Sequence, residues 1–77
     1  LMQCTGLRDK NGKLIFEGDI IKLYGKNYKV IFEKRAAYFG LFISKNETYR
    51  LNDIHTLTSE IEIIGNIYEN PELLEAN

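Results

Sequence analysis

Residues 19–44 read DIIKLYGKNYKVIFEKRAAYFGLFIS, and the alternation within them decides the fold. Tyr28, Val30 and Phe32 fall on one side of an extended chain, and Lys29, Ile31 and Glu33 on the other. That period of two belongs to a β-strand and not to a helix. From Ala37 to Ser44 the pattern repeats. Ala37, Phe39, Leu41 and Ile43 share one face, and Tyr38, Gly40 and Phe42 share the opposite one. Ahead of both runs, the β-branched pair in IIKLY suits a strand. Tyr24-Gly25-Lys26-Asn27 then reads as the tight hairpin connection between strands.

Working outward, residues 5–12, TGLRDKNG, are turn-rich, with Asn11-Gly12 as the strongest turn signal. Lys13 to Phe16 is a short extended segment, and Glu17-Gly18-Asp19 turns the chain into the next strand. Beyond the central runs, Lys45-Asn46-Glu47 reads as a turn and Thr48 to Leu51 as a returning strand. Asn52-Asp53 suits the cap of a single helical turn over Ile54 to Leu57. Ser59 to Ile64 reads as a last strand, with Ile61 and Ile63 inward, Glu60 and Glu62 outward, and Gly65-Asn66 at its end. Asn70 is placed as a helix N-cap and Pro71 as the first helical residue, with Leu73 and Leu74 docking a short terminal helix. The expectation is a mainly β chain of 5–6 short strands with a short C-terminal helix, forming a small curled sheet or SH3-like barrel as one domain over residues 1–77. EGDII resembles the Gly-Asp turn that starts strands in SH3-like barrels.

Seventy-seven residues leave a small core, hiding only roughly 60% of the unfolded surface. Small domains offset this with disulfides, metal or oligomerisation. Cys4 is the one cysteine and His55 the one histidine, so no internal disulfide forms and four-ligand zinc has too few soft donors. Oligomerisation is the remaining route, and 44% hydrophobic residues with 12% aromatic can support it. Ten basic against eleven acidic residues give no basic field for nucleic acid. No apolar run is long enough for a membrane span or a signal peptide. The lone thiol fits a reducing compartment, so a cytoplasmic location is expected.

Two blocks, TGLRDKNGKLIFEGDII at residues 5–21 and IEIIGNIYENPELLE at residues 61–75, together resemble the two ends of the YopX family of phage and prophage proteins. The resemblance implies a phage or prophage origin and a location inside a bacterial host. It brings no catalytic residue with it. Within the blocks, Gly18, Asp19, Gly65, Asn66, Asn70 and Pro71 have turn and helix-start chemistry, and they are read as fold determinants. The centre, from Tyr24 to Ser59, lies outside the resemblance and is where a particular function would reside.

No nucleophile–base pair, phosphate-cradling loop or metal set is legible, so the chain is read as non-enzymatic and without a cofactor. A Cys4–His55 pair and a Glu17–Asp19 cation turn are the nearest approaches, and neither is complete. Asp9 and the other carboxylates read as turn and solvated-face charges. The aromatics carry more content. Tyr24, Tyr38, Phe42 and Tyr49 are candidate interface residues, since tyrosine combines large area with a polar tip. The expected partner is a second copy, giving a homo-oligomeric binding module, followed by a host, defence or phage protein. One alternative is a nucleotide- or small-ligand-sequestering protein in which Lys26, Lys29 or Arg50 meets an anion. The other is a single-stranded nucleic-acid binder, which the near-neutral charge disfavours.

Overall fold

The computed structural model describes residues 2–44, 47–51 and 59–75. In chain order its elements are β1 (Cys4–Arg8), β2 (Leu14–Phe16), β3 (Asp19–Leu23), β4 (Lys26–Glu33), β5 (Tyr38–Ser44), β6 (Glu47–Arg50), β7 (Glu62–Asn66) and the helix α1 (Glu72–Glu75). They form a two-stranded antiparallel sheet, β1-β2, and a five-stranded antiparallel sheet in the order β6-β5-β4-β3-β7. No described helix is long and apolar enough to cross a membrane.

The alternating runs land where their period requires. Tyr24-Gly25 is the whole loop of the β3–β4 hairpin, because Leu23 pairs with Lys26. Tyr24 and Gly25 both take positive φ, 51° and 81°, the twist that a two-residue hairpin favours. The connection is therefore shorter than Tyr24-Gly25-Lys26-Asn27, and Lys26 and Asn27 belong to β4. One sheet face carries Ile21 and Leu23 of β3, Val30 of β4 and Leu41 of β5 into a buried cluster with Ile15, Leu51 and Ile61. Leu7, Tyr28, Phe39 and Ile63 pack around it. Ile15, Ile20, Ile21 and Ile61 are 0% exposed, and each contributes about 1.5–3 kcal/mol relative to an exposed side chain. The β1–β2 hairpin covers this face, with Ile15 as its inward residue. On the opposite face α1 packs against β4, where Asn27 Nδ2 donates to the Leu73 carbonyl at 2.8 Å.

Four expectations change. TGLR is not turn but most of β1: Gly6 at positive φ and a register irregularity between Cys4 and Arg8 let a glycine-containing segment still pair with β2. The described strands therefore number seven, against the 5–6 expected. The sheets are open, and no SH3-like barrel closes among the described residues, where β6 and β7 are the two edges of the larger sheet. The hairpin is tied to β7 and the residue before it by single bonds, not by a ladder: Lys10 N–H donates to the Ile61 carbonyl at 2.8 Å, and Ile63 N–H of β7 donates to Asp9 Oδ2 at 3.0 Å. Finally, Asn70 does not use its side chain as a cap. Its Oδ1 accepts from Asn66 N–H at 3.3 Å, while its carbonyl takes Leu73 N–H at 3.1 Å. Pro71 directly precedes the helix, and Leu73 and Leu74 are half-buried. Lys45-Asn46, the Asn52-Asp53 cap, the Ile54 to Leu57 turn and His55 lie outside the described residues.

Candidate functional site

The sheet face opposite the core is built by odd positions of β4 and even positions of β5 and β6. Register sets Lys29 across from Phe42, Ile31 from Gly40 and Glu33 from Tyr38. On the other side of β5, Gly40 pairs with Arg50 and Phe42 with Thr48. Tyr38 and Phe42 are both half-buried here, and each ring is covered by a cation from a neighbouring strand. Lys29 Nζ stands 4.9 Å from the Phe42 centroid, and the Arg50 guanidinium stands 4.4 Å from that of Tyr38. Contacts of this kind contribute about 0.5–1 kcal/mol at exposed sites and hold the cations over the central strand. Gly40 makes the close approach possible: a Cβ there would lie 2.6 Å from Thr48 Cγ2 and 2.9 Å from the Tyr49 carbonyl oxygen.

The structure thus brings together four of the seven interface and anion candidates: Tyr38, Phe42, Lys29 and Arg50. The other three stand elsewhere. Tyr49 pairs with Leu41 and so lies on the core side of the sheet, 53% exposed at the β6 edge. Tyr24 occupies the β3–β4 turn and is 69% exposed. Lys26 is exposed and alternates with Tyr28 and Val30, placing it on the core side, away from Lys29. Among the described residues the ion pair is Lys10–Glu62 at 3.7 Å, and Lys29 and Arg50 have no carboxylate partner.

Beside this face, a cleft of about 250 Å³ opens between α1 and the sheet, lined by Asn27, Tyr28, Lys29, Phe42, Ile43 and Leu74. A second cleft, of about 400 Å³, lies between the hairpin and β7, lined by Lys13, Leu14, Phe16, Asp19, Ile63, Ile64, Gly65 and Asn66. Asp19 Oδ2 accepts from Phe16 N–H at 2.8 Å. Burial pushes the Asp19 carboxyl above its ordinary value, and the Phe16 N–H and the Lys13 charge only partly offset it. Among the described residues no three of His, Cys, Asp and Glu gather as a metal set, and Cys4 is exposed.

The sequence reading missed the most consequential carboxylate. Asp9 is not on a solvated face; it is 5% exposed. Its Oδ1 accepts from Asn11 N–H and Lys13 N–H, both at 2.9 Å, and its Oδ2 accepts from Ile63 N–H at 3.0 Å. Burial acts to raise its pKa, but the Ile63, Lys13 and Asn11 N–H donors and the Lys13 charge outweigh burial and hold it below its ordinary value. The Asp-x-Asn-Gly spacing signals the local half of this arrangement, since aspartate commonly bonds an amide two residues on. Nothing local signals Ile63.

Through these bonds the two ends of the chain become one body. Asp9 reaches β7, β3 pairs with β7, and Gly18 accepts Ile67 N–H at 2.9 Å while donating its own N–H to the Val30 carbonyl at 2.9 Å. Asn66 Oδ1 accepts from Tyr68 N–H at 3.0 Å and Glu69 N–H at 2.9 Å, fixing the turn that follows β7. At Gly65 an added Cβ would lie 2.6 Å from Asn70 Oδ1, so any larger residue forces the Asn70 side chain to move. Gly65→Ala is expected to cost about 1–3 kcal/mol in chemical denaturation, because the displaced side chain also gives up its bond to Asn66 N–H. Blocks 5–21 and 61–75 are therefore a single structural unit, and the β4–β6 face is what the intervening residues add to it. Comparison with curated proteins finds no match. The family model described as YopX protein matches residues 1–75, both blocks and everything between them, so the chain belongs to the YopX family.

Proposed function

We propose that this protein is a small non-enzymatic binding module of phage or prophage origin, acting in a bacterial cytoplasm through the β4–β5–β6 face. One observation carries the reading: Tyr38 and Phe42 share that face, each under a cation with no carboxylate partner among the described residues. Aromatic residues and arginine are the side chains that dominate protein interfaces. Self-association is the first form of this activity, and docking on a host or defence protein the second. Light scattering tests it: a discrete oligomer is expected, reduced to monomer by Tyr38→Ser with Phe42→Ser, with circular dichroism confirming that the double variant stays folded. A monomeric parent, or an unchanged mass in a folded double variant, removes self-association through this face.

A second reading has one observation in its favour. The cleft of about 250 Å³ beside α1 sets Lys29 and Phe42 next to each other, as a small anionic aromatic ligand or nucleotide needs. A denatured extract of purified protein containing an ultraviolet-absorbing molecule would support sequestration. An extract without one, together with no uptake of added nucleoside monophosphates, would dismiss it.

A further inference from the structure

We infer that the β4–β5–β6 face takes an extended acidic segment of a partner protein, with two carboxylates meeting Lys29 and Arg50. The inference rests on reading this face as the contact surface, and it names the chemistry of what lands there. The charge supports it first. Lys29 and Arg50 lack carboxylate partners among the described residues, and each is held over a ring, so little side-chain freedom is lost when an anion arrives. The spacing supports it next. Lys29 leans over Phe42 and Arg50 over Tyr38, so both cations stand over β5, above residues four positions apart. At a strand's rise per residue that is about 13 Å, matching two same-side glutamates about four residues apart in an extended peptide.

The floor between the cations is low. Gly40 contributes no side chain, and the Thr48 methyl fills the position its Cβ would take. The Tyr38 ring edge, 3.2 Å from the same point, and Ile31, across from Gly40 in register, complete the surface between Lys29 and Arg50.

A nucleic-acid strand fits less well. Each ring already bears a cation, which occupies a stacking surface that a base would need.

The test is fluorescence anisotropy with a short labelled Ser/Thr peptide carrying two glutamates about four residues apart, alongside its glutamine counterpart and an oligothymidylate. Saturable binding of the acidic peptide is expected, at least about tenfold tighter than the glutamine form, a difference of about 1.4 kcal/mol. Arg50→Gln and Lys29→Gln should each weaken it about tenfold, and Lys10→Gln, whose side chain is paired with Glu62, should leave it unchanged. Equal binding of the glutamine peptide, indifference to both substitutions, or tighter binding of oligothymidylate overturns the inference. If the peptide fails while Tyr38→Ser with Phe42→Ser still alters the mass, the acidic partner is wrong and the contact face stands. If both fail, the face itself is wrong.

Discussion

Asp9→Ala should lower stability by about 3–5 kcal/mol, the largest effect expected of a polar substitution in this chain. Three backbone N–H groups, those of Asn11, Lys13 and Ile63, lose their acceptor at once. Two belong to the β1–β2 turn and one to β7, so the hairpin loses both its local shape and its tether. At roughly 0.05–0.15 kcal/mol of stability per residue, this loss is a large share of the total for a chain of this length. Asp9→Asn is the finer probe. Its single oxygen can serve Asn11 and Lys13, but its amide then faces the Ile63 N–H donor to donor, and a loss of about 1–3 kcal/mol is expected. Urea unfolding followed by circular dichroism measures both. A shift within error for Asp9→Ala would show that the hairpin is held by packing alone.

Acid should act through the same carboxylate. The folded-state pKa of Asp9 is depressed, so its contribution is fully present above the unfolded value and is lost as pH falls through the folded one. Asp19 has the opposite sign. Its folded pKa is raised, so its ionisation opposes folding at neutral pH, and protonation relieves this before Asp9 begins to titrate. The parent should therefore resist mild acid and then lose stability steeply at lower pH. Asp9→Asn should flatten the steep part, and Asp19→Asn should remove the early relief. A stability–pH curve for Asp9→Asn that overlays the parent's would exclude Asp9 as the acid-labile tie.

The second large effect is expected of Gly40→Val, at about 3 kcal/mol, the upper end for overpacking a tight site. A Cβ at this position meets Thr48 Cγ2 at 2.6 Å and the Tyr49 carbonyl oxygen at 2.9 Å. The Thr48 methyl could be removed, but the Tyr49 carbonyl is backbone and retreats only by loosening the β5–β6 ladder. Thr48→Ser should therefore rescue Gly40→Ala in part and Gly40→Val hardly at all, a coupling that a double-mutant cycle reads directly. Because β6 carries Arg50, loss of this ladder should also remove the cation over Tyr38. Hydrogen exchange should show β6 amides opening first. Uniform destabilisation with β6 protected would instead place the strain in the core.

The central strands were legible because alternation is a local property. Tyr28 to Glu33 and Ala37 to Ser44 announce their faces by residue type, and the alternation forms as read except that Ala37 stands in the turn before β5 at φ 54° and Ile43 is exposed. β1 was not legible, because Thr5 and Gly6 are turn residues by composition. Their strand exists only because β2 lies beside them and a glycine takes up the irregularity. The candidate site divides the same way. Tyr38 and Phe42 share a face by spacing alone. Which cations join them depends on register: Lys29 and Arg50 lean over β5, while one step of alternation sends Lys26 to the other side of the sheet.

By itself the sequence determined the class of this protein: a small mainly β chain, with turns set by Asn, Asp and Gly and with end blocks of YopX type. The strands and turns follow from backbone preferences and periodicity that each segment carries alone, and the YopX type follows from resemblance at the two end blocks. Only the tertiary structure decided that Asp9 is buried, that the two end blocks form one unit, and that Phe42 and Tyr38 each lie under a cation. The reason is physical. Burial and hydrogen-bond partnership are properties of pairs distant in sequence, as with Asp9 and Ile63, and no local pattern encodes the far member of such a pair.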